Sequence, residues 1–185
     1  MNLSPPIVSD PLELRLFAPG DAGKLFAMSQ EPGMREWLPD QVYENESHAL
    51  QVVQYLIQKC VDPGIPSVAP YVLGVCLRSS GELIGHVGLS PLDGGVEIGY
   101  AIAARHQGRG FASRAVAAMA EWGAARFALP RVLAIVAAEN RASCGVLRTA
   151  GFRLVGESTR LLHGRSRLVR TYERAREIEA ERPSR

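Results

Sequence analysis

Two stretches of the sequence carry residue types at spacings that could do chemistry. The first is Arg105-His106-Gln107-Gly108-Arg109-Gly110-Phe111-Ala112-Ser113, between an apolar run and the start of a long helical pattern. A helix N-terminus offers unpaired N–H groups and partial positive charge, and glycines let those amides meet an anion with no Cβ in the way. A diphosphate fits there, with Arg105, Arg109 and Arg114 as further donors. Two glycines ahead of a helix also make an ordinary tight strand-to-helix turn, so both uses stand at this level. No G-x-x-x-x-G-K-[ST] sequence is present, which sets P-loop enzymes aside. Gly108, Gly110 and Ser113 imitate a dinucleotide fingerprint, and Glu139 imitates its ribose-binding acid, so an NAD(P)-binding oxidoreductase is a distant alternative. Against it, serine replaces the third glycine, Arg105-His106-Gln107 separates the apolar run from the first, and too little chain follows Glu139 for a doubly wound sheet.

The second stretch is Val96-Glu97-Ile98-Gly99-Tyr100-Ala101-Ile102-Ala103. At period two, Val96, Ile98, Tyr100 and Ile102 share one face, and Glu97, Gly99, Ala101 and Ala103 the other. Small side chains admit close approach of a ligand to the backbone, and equally the close packing of a helix. Elsewhere the candidates thin out. Cys144 opens a helical pattern where the dipole and Arg141 would favour a thiolate, yet no histidine neighbours it, and a buried core cysteine is the simpler role. His48, His86, His106 and His163 lack metal-ligand spacing, so no metal is expected.

The elements that must position these residues follow from periodicity. Leu12 to Phe17 alternates as a strand before a turn in which Asp21 is placed to cap a helix over Ala22–Ser29. Pro32 to Tyr43 is expected as an irregular aromatic-bearing loop, then a helix over Glu46–Cys60, and strands over Tyr71–Leu77 and Glu82–Leu89. The strand carrying Glu97 leads through the glycine loop into a helix over Gly110–Phe127 that Pro130 stops. Val132 to Ala138 is a buried strand, Asn140 to Ala150 a helix, and Phe152–Leu162 with Arg167–Tyr172 a final hairpin around His163-Gly164. The division expected is a flexible leader over 1–11, one domain over 12–174 and a charged tail over 175–185.

Composition bounds the rest. The 185 residues suit a single core. With 46% apolar and 22% charged residues and a mean hydropathy of -0.01, the chain is neither disordered nor a membrane protein. A net charge of +2 gives no broad field for nucleic acid or an anionic bilayer. Three widely spaced cysteines and no signal-peptide pattern indicate a cytoplasmic protein, monomer or homodimer.

The combination resembles the GNAT acetyltransferase superfamily. Arg105, Gly108 and Gly110 match its R/Q-x-x-G-x-G/A motif, Glu97-Ile98-Gly99-Tyr100 precedes it as in relatives, and Asn140-Arg141-Ala142-Ser143 followed by Leu147-Arg148-Thr149-Ala150-Gly151-Phe152 is similar to N-x-x-S and L-x-x-x-G-F. The Leu12–Leu16 strand resembles that of the ribosomal-protein N-terminal acetyltransferase (RimJ/RimL) branch. The resemblance implies a mixed α/β fold: a mostly antiparallel, splayed sheet of about six or seven strands with about four helices. It implies acetyl-CoA in the cleft between the fourth and fifth of these strands, its diphosphate on residues 105–113, its acyl arm along Ala101, Ile102 and Ala103, and an N–H such as that of Ile102 for the oxyanion. Asn140 would hold the pantetheine amide and Ser143 would serve the leaving sulfur, although both also suit a helix start. Glu97 is the candidate base, through a water, or a structural carboxylate. Relatives that use a tyrosine acid find no counterpart between Tyr100 and Tyr172. The acceptor is a primary amine, with a protein N-terminus favoured by resemblance. Small-molecule amines are the competing substrates, and a catalytically silent acyl-CoA sensor is the competing class. Trp37, Leu38 and Tyr43 form either an acceptor wall or an apolar plug.

Overall fold

The structure, a computed structural model, describes residues 5–176. Eight strands form one sheet in the order β1-β2-β3-β4-β5-β6-β8-β7, antiparallel throughout except where β5 meets β6. The strands are β1 (Ile7–Ser9), β2 (Leu12–Arg15), β3 (Tyr71–Leu77), β4 (Leu83–Leu92), β5 (Gly95–Ile102), β6 (Arg131–Ala137), β7 (Arg153–Leu162) and β8 (Arg165–Ala175). Five helices accompany them: α1 (Ala22–Ser29), α2 (Pro32–Trp37), α3 (Glu46–Val61), α4 (Phe111–Arg126) and α5 (Arg141–Thr149). This is the mixed α/β sheet expected, with one more strand and one more helix.

The helices sort by which side chains they cover. Ile98, Ile102, Val87 and Leu89 point to α4 and α5, where they meet Val116, Met119, Trp122 and Leu147 in the main core. On the other face, α1 and α3 cover Cys76 and Leu83 with Leu25, Ala49 and Val53, and α2 contributes Met34.

Three local expectations change. Ile7–Ser9, placed in the flexible leader, pairs with Leu12–Leu14 as an edge strand, a run too short to show a period. Within the Pro32–Tyr43 loop, Pro32 starts α2 from an extended Glu31; proline at the first helical position was the available signal, and Met34 is its single buried residue. Asp21 stands at the N-cap of α1 but its carboxylate does not cap. It takes a bidentate pair from Arg15, at 2.8 and 2.9 Å, and the Ala18 N–H at 2.8 Å. Beyond Arg176, the expected tail lies outside the described residues. Cys60, Cys76 and Cys144 are free thiols, and no helix among the described residues is long and apolar enough to cross a membrane.

Candidate active site

The site begins where β5 ends. A short 3-10 turn over Ala104–His106 leads to Gly108 and Gly110, whose φ values of 71° and 76° lie in the left-handed region that favours glycine. Gly110 is the N-cap of α4, and no side chain caps the helix. A Cβ built on either glycine meets nothing within 4 Å. The glycines answer a backbone requirement, and the space before the first-turn amides of Phe111, Ala112 and Ser113 is open.

The three arginines have different partners. Arg105 turns away to an ion pair with Glu82, and its Nε donates to His106 Nε2 at 3.0 Å. Arg114 donates to the Asp10 carbonyl at 3.2 Å. Arg109 stays at the loop, stacked over the Phe111 ring 5.0 Å from its centroid. Gln107 Nε2 closes the end of β5 on the Ile102 carbonyl at 2.8 Å, and Glu31 accepts the Ala104 N–H at 2.8 Å.

Beside this loop the sheet splits. β4 and β5 pair without interruption from Gly85↔Ile102 to Leu92↔Gly95, whereas β5 and β6 share only Glu97↔Leu133. Beyond that point no ladder joins the two parallel strands, and their facing edges open into a cleft. The Ala103 N–H donates to the Ile84 carbonyl of β4. By strand alternation the Ile102 N–H therefore faces the β6 side, into the cleft. The small-residue face of β5 has two fates. Met28, Met34 and Leu38 cover Ala101 and Ala103, so helix packing accounts for those two, while Gly99 stays exposed.

Across the cleft, Asn140 caps α5 by accepting the Ser143 N–H at 3.0 Å. The Ser143 hydroxyl lies 2.7 Å from the Tyr100 hydroxyl, which is also 3.2 Å from the Ser143 carbonyl. In the sequence Tyr100 sits on an apolar face 43 residues from Ser143, and the one signal of its role is that a phenol on such a face needs a polar partner. Burial pushes its hydroxyl up to about 12, so it is neutral and donates to the Ser143 carbonyl, while in the 2.7 Å pair either hydroxyl can be the donor. Cys144 is buried in the main core. Glu97, on the opposite face of β5 from Tyr100, is half-buried, and desolvation raises its carboxyl above the usual range. A carboxyl group and a pair of hydroxyls thus flank β5 from its two sides.

The outer elements converge as well. His163, at the β7–β8 turn, bonds Asp40 at 2.8 Å, tying the hairpin to the turn after α2. Arg167 pairs with Glu139 and lies over the Trp37 ring, 5.4 Å from its centroid. Trp37 is thus held against a β8 arginine, whereas Leu38 and Tyr43 pack into the cores.

A model of the acetyltransferase (GNAT) domain matches residues 11–153. The uncharacterized N-acetyltransferase p20 of Bacillus licheniformis is 25% identical over 173 residues, covering 92% of this chain and 88% of its own. Among solved structures, RimL, the ribosomal L7/L12 α-N-protein acetyltransferase in complex with coenzyme A, superposes with a TM-score of 0.77 at 22% identity, over 91% of this chain and 96% of its own. The ribosomal-protein-S5-alanine acetyltransferase of Vibrio fischeri does so with a TM-score of 0.72 at 18% identity, over 91% and 94%. With the split sheet and glycine-opened helix start at the positions these matches cover, the chain belongs to the GNAT family of acetyl-CoA-dependent N-acetyltransferases.

Proposed function

We propose that the protein transfers the acetyl group of acetyl-CoA directly to a primary amine, with the α-amino group of a protein N-terminus as its acceptor. The observation that carries this is the early end of the β5–β6 ladder at Glu97↔Leu133, beside a helix start opened by Gly108 and Gly110. Backbone amides of residues 108–113 with Arg109 receive the diphosphate, and Asn140 holds the pantetheine. Glu97 takes the amine proton through a water, the Ile102 N–H meets the carbonyl oxygen as it gains charge, and Ser143 hydrogen-bonds the departing sulfur. The raised carboxyl of Glu97 supports its part, because desolvation makes a carboxylate a stronger base than it is in water. The named neighbours that act on ribosomal-protein N-termini support the choice of acceptor.

Binding is tested by melting: acetyl-CoA or CoA at about a hundred times Kd stabilises by about 2.7 kcal/mol, whereas NAD, NADP and ATP leave Tm unchanged. The acceptor is tested by offering peptides with free N-termini alongside amino acids, polyamines and aminoglycosides, with mass detection of the acetylated product. Acetylation of small amines alone overturns the acceptor assignment.

A further inference from the structure

We infer that Tyr100 is a positioning residue for the leaving-group side of the reaction, its hydroxyl donating to Ser143 Oγ so that the serine's own proton points into the cleft between β5 and β6. The proposal rests on the assignment of Ser143 above and extends it to a second residue on a different element.

The geometry argues as follows. The Ser143 N–H is already taken by Asn140 Oδ1 at 3.0 Å, so the start of α5 is fixed without help from Tyr100. What Tyr100 adds is contact with the Ser143 hydroxyl at 2.7 Å and with its carbonyl at 3.2 Å. A serine hydroxyl has one proton and two lone pairs and rotates to suit its partners. The phenol's single proton has two acceptors in reach, the Ser143 carbonyl at 3.2 Å and Ser143 Oγ at 2.7 Å; in the state proposed for transfer it goes to the nearer, Oγ, which frees the serine proton for an acceptor on the cleft side. As the C–S bond breaks and the C–N bond forms, the electron pair stays on sulfur, and the thiolate receives that hydrogen bond. The amine loses one proton by way of Glu97 and water, and the thiol gains one, so the reaction balances with no proton lost from Tyr100. Each bond in such a chain polarises the next. Tyr100 reaches this position because β5 and β6 have parted. Its ring packs against the main core while its hydroxyl meets α5.

The test uses CoA itself and needs no acceptor. The thiol of bound CoA is titrated by thiolate absorbance in wild type, Tyr100→Phe, Ser143→Ala and the double variant. In each case the spectrum of the same protein with desulfo-CoA is subtracted, which cancels the neighbouring Cys144 and Tyr172. A hydrogen bond to a charged group is lost with Ser143, so the thiol pKa in Ser143→Ala rises by about one pH unit. Tyr100→Phe keeps the ring and raises the thiol pKa by about half as much, with CoA affinity within about threefold of wild type. The double variant matches Ser143→Ala, because Tyr100 acts through the serine. A Tyr100→Phe protein with a wild-type thiol titration, alongside a shifted Ser143→Ala, overturns the proposal and leaves Tyr100 a core side chain. Shifts that add in the double variant overturn it too, since Tyr100 would then act on sulfur independently. An unshifted Ser143→Ala removes the assignment of Ser143, and the role of Tyr100 falls with it.

Discussion

Gly110 separates two demands that one glycine meets at once. Its φ of 76° and ψ of 2° place it in the left-handed region, yet a Cβ there would touch nothing within 4 Å. Gly110→Ala therefore costs only torsional energy, about 1–2 kcal/mol. For a chain of this size each kcal/mol moves Tm by about 2–4 °C, so the ligand-free variant melts about 2–8 °C lower. Asparagine tolerates the same region, so Gly110→Asn melts closer to wild type. The ligand tells the two demands apart. A side chain standing before the amides of 111–113 displaces at least one charge-assisted hydrogen bond of about 1.5–3 kcal/mol, which weakens CoA about ten- to a hundredfold in both variants. Titration calorimetry with CoA and a melting curve on each variant suffice. Wild-type CoA affinity in folded Gly110→Asn refutes the idea that the diphosphate uses this space, and an unchanged Tm in ligand-free Gly110→Ala refutes the torsional argument.

Three further residues give testable variants. Glu97→Gln retains CoA binding and loses about a hundredfold or more in turnover, a loss that shrinks as pH rises and more of the amine is neutral. Because burial raises the Glu97 carboxyl, its neutral form is favoured in the fold, and that contribution is lost as pH rises through the folded pKa; Glu97→Gln is thus more stable than wild type at neutral pH and equal to it in acid, by denaturant titration. Burial raises Asp21, but the Arg15 and Ala18 hydrogen bonds outweigh it and hold the carboxyl below its ordinary value, so its stabilisation is present above that value and fades as pH falls. Asp21→Ala costs about 1–3 kcal/mol at pH 7 and less in acid. Asp40→Asn, which loosens the His163 contact, raises the acceptor KM several-fold in steady-state assays while CoA affinity stays within twofold.

Local periodicity carried most of the frame. The alternation through Val96–Ala103 and the helical spacing of Phe111, Ala115, Met119 and Trp122 are properties of neighbours in sequence, and they place the glycine loop without any tertiary knowledge. Partner choice is different. Next to two glycines Arg105 reads as a phosphate ligand, but the pairing of Gly85 with Ile102 brings the start of β4 beside the turn after β5, and there Glu82 meets it. Tyr100 and Ser143 meet only through the packing of α5 on the sheet, and nothing in either segment encodes the other's position. The split between β5 and β6 is likewise invisible in the letters, since both strands carry ordinary β-forming residues and their divergence is a matter of pairing.

That split gives the spacing of Glu97 and Tyr100 its meaning. Three residues is an odd step, so in a strand the two side chains leave on opposite faces. The backbone N–H groups along β5 alternate between β4 and the cleft, and those of Tyr100 and Ile102 fall on the cleft side. In the proposed reaction a thioester along β5 would have the Glu97 carboxylate over one face, the Tyr100 hydroxyl with its α5 partner Ser143 over the other and an amide in the plane between. One residue inserted between Glu97 and Tyr100 would bring both side chains to the same face and move one of them out of the chemistry. Such an insertion retains the composition of the site and, by this reasoning, loses the acetyl transfer. Full activity in a folded insertion variant would mean that the two faces of β5 do not divide the proton traffic between them.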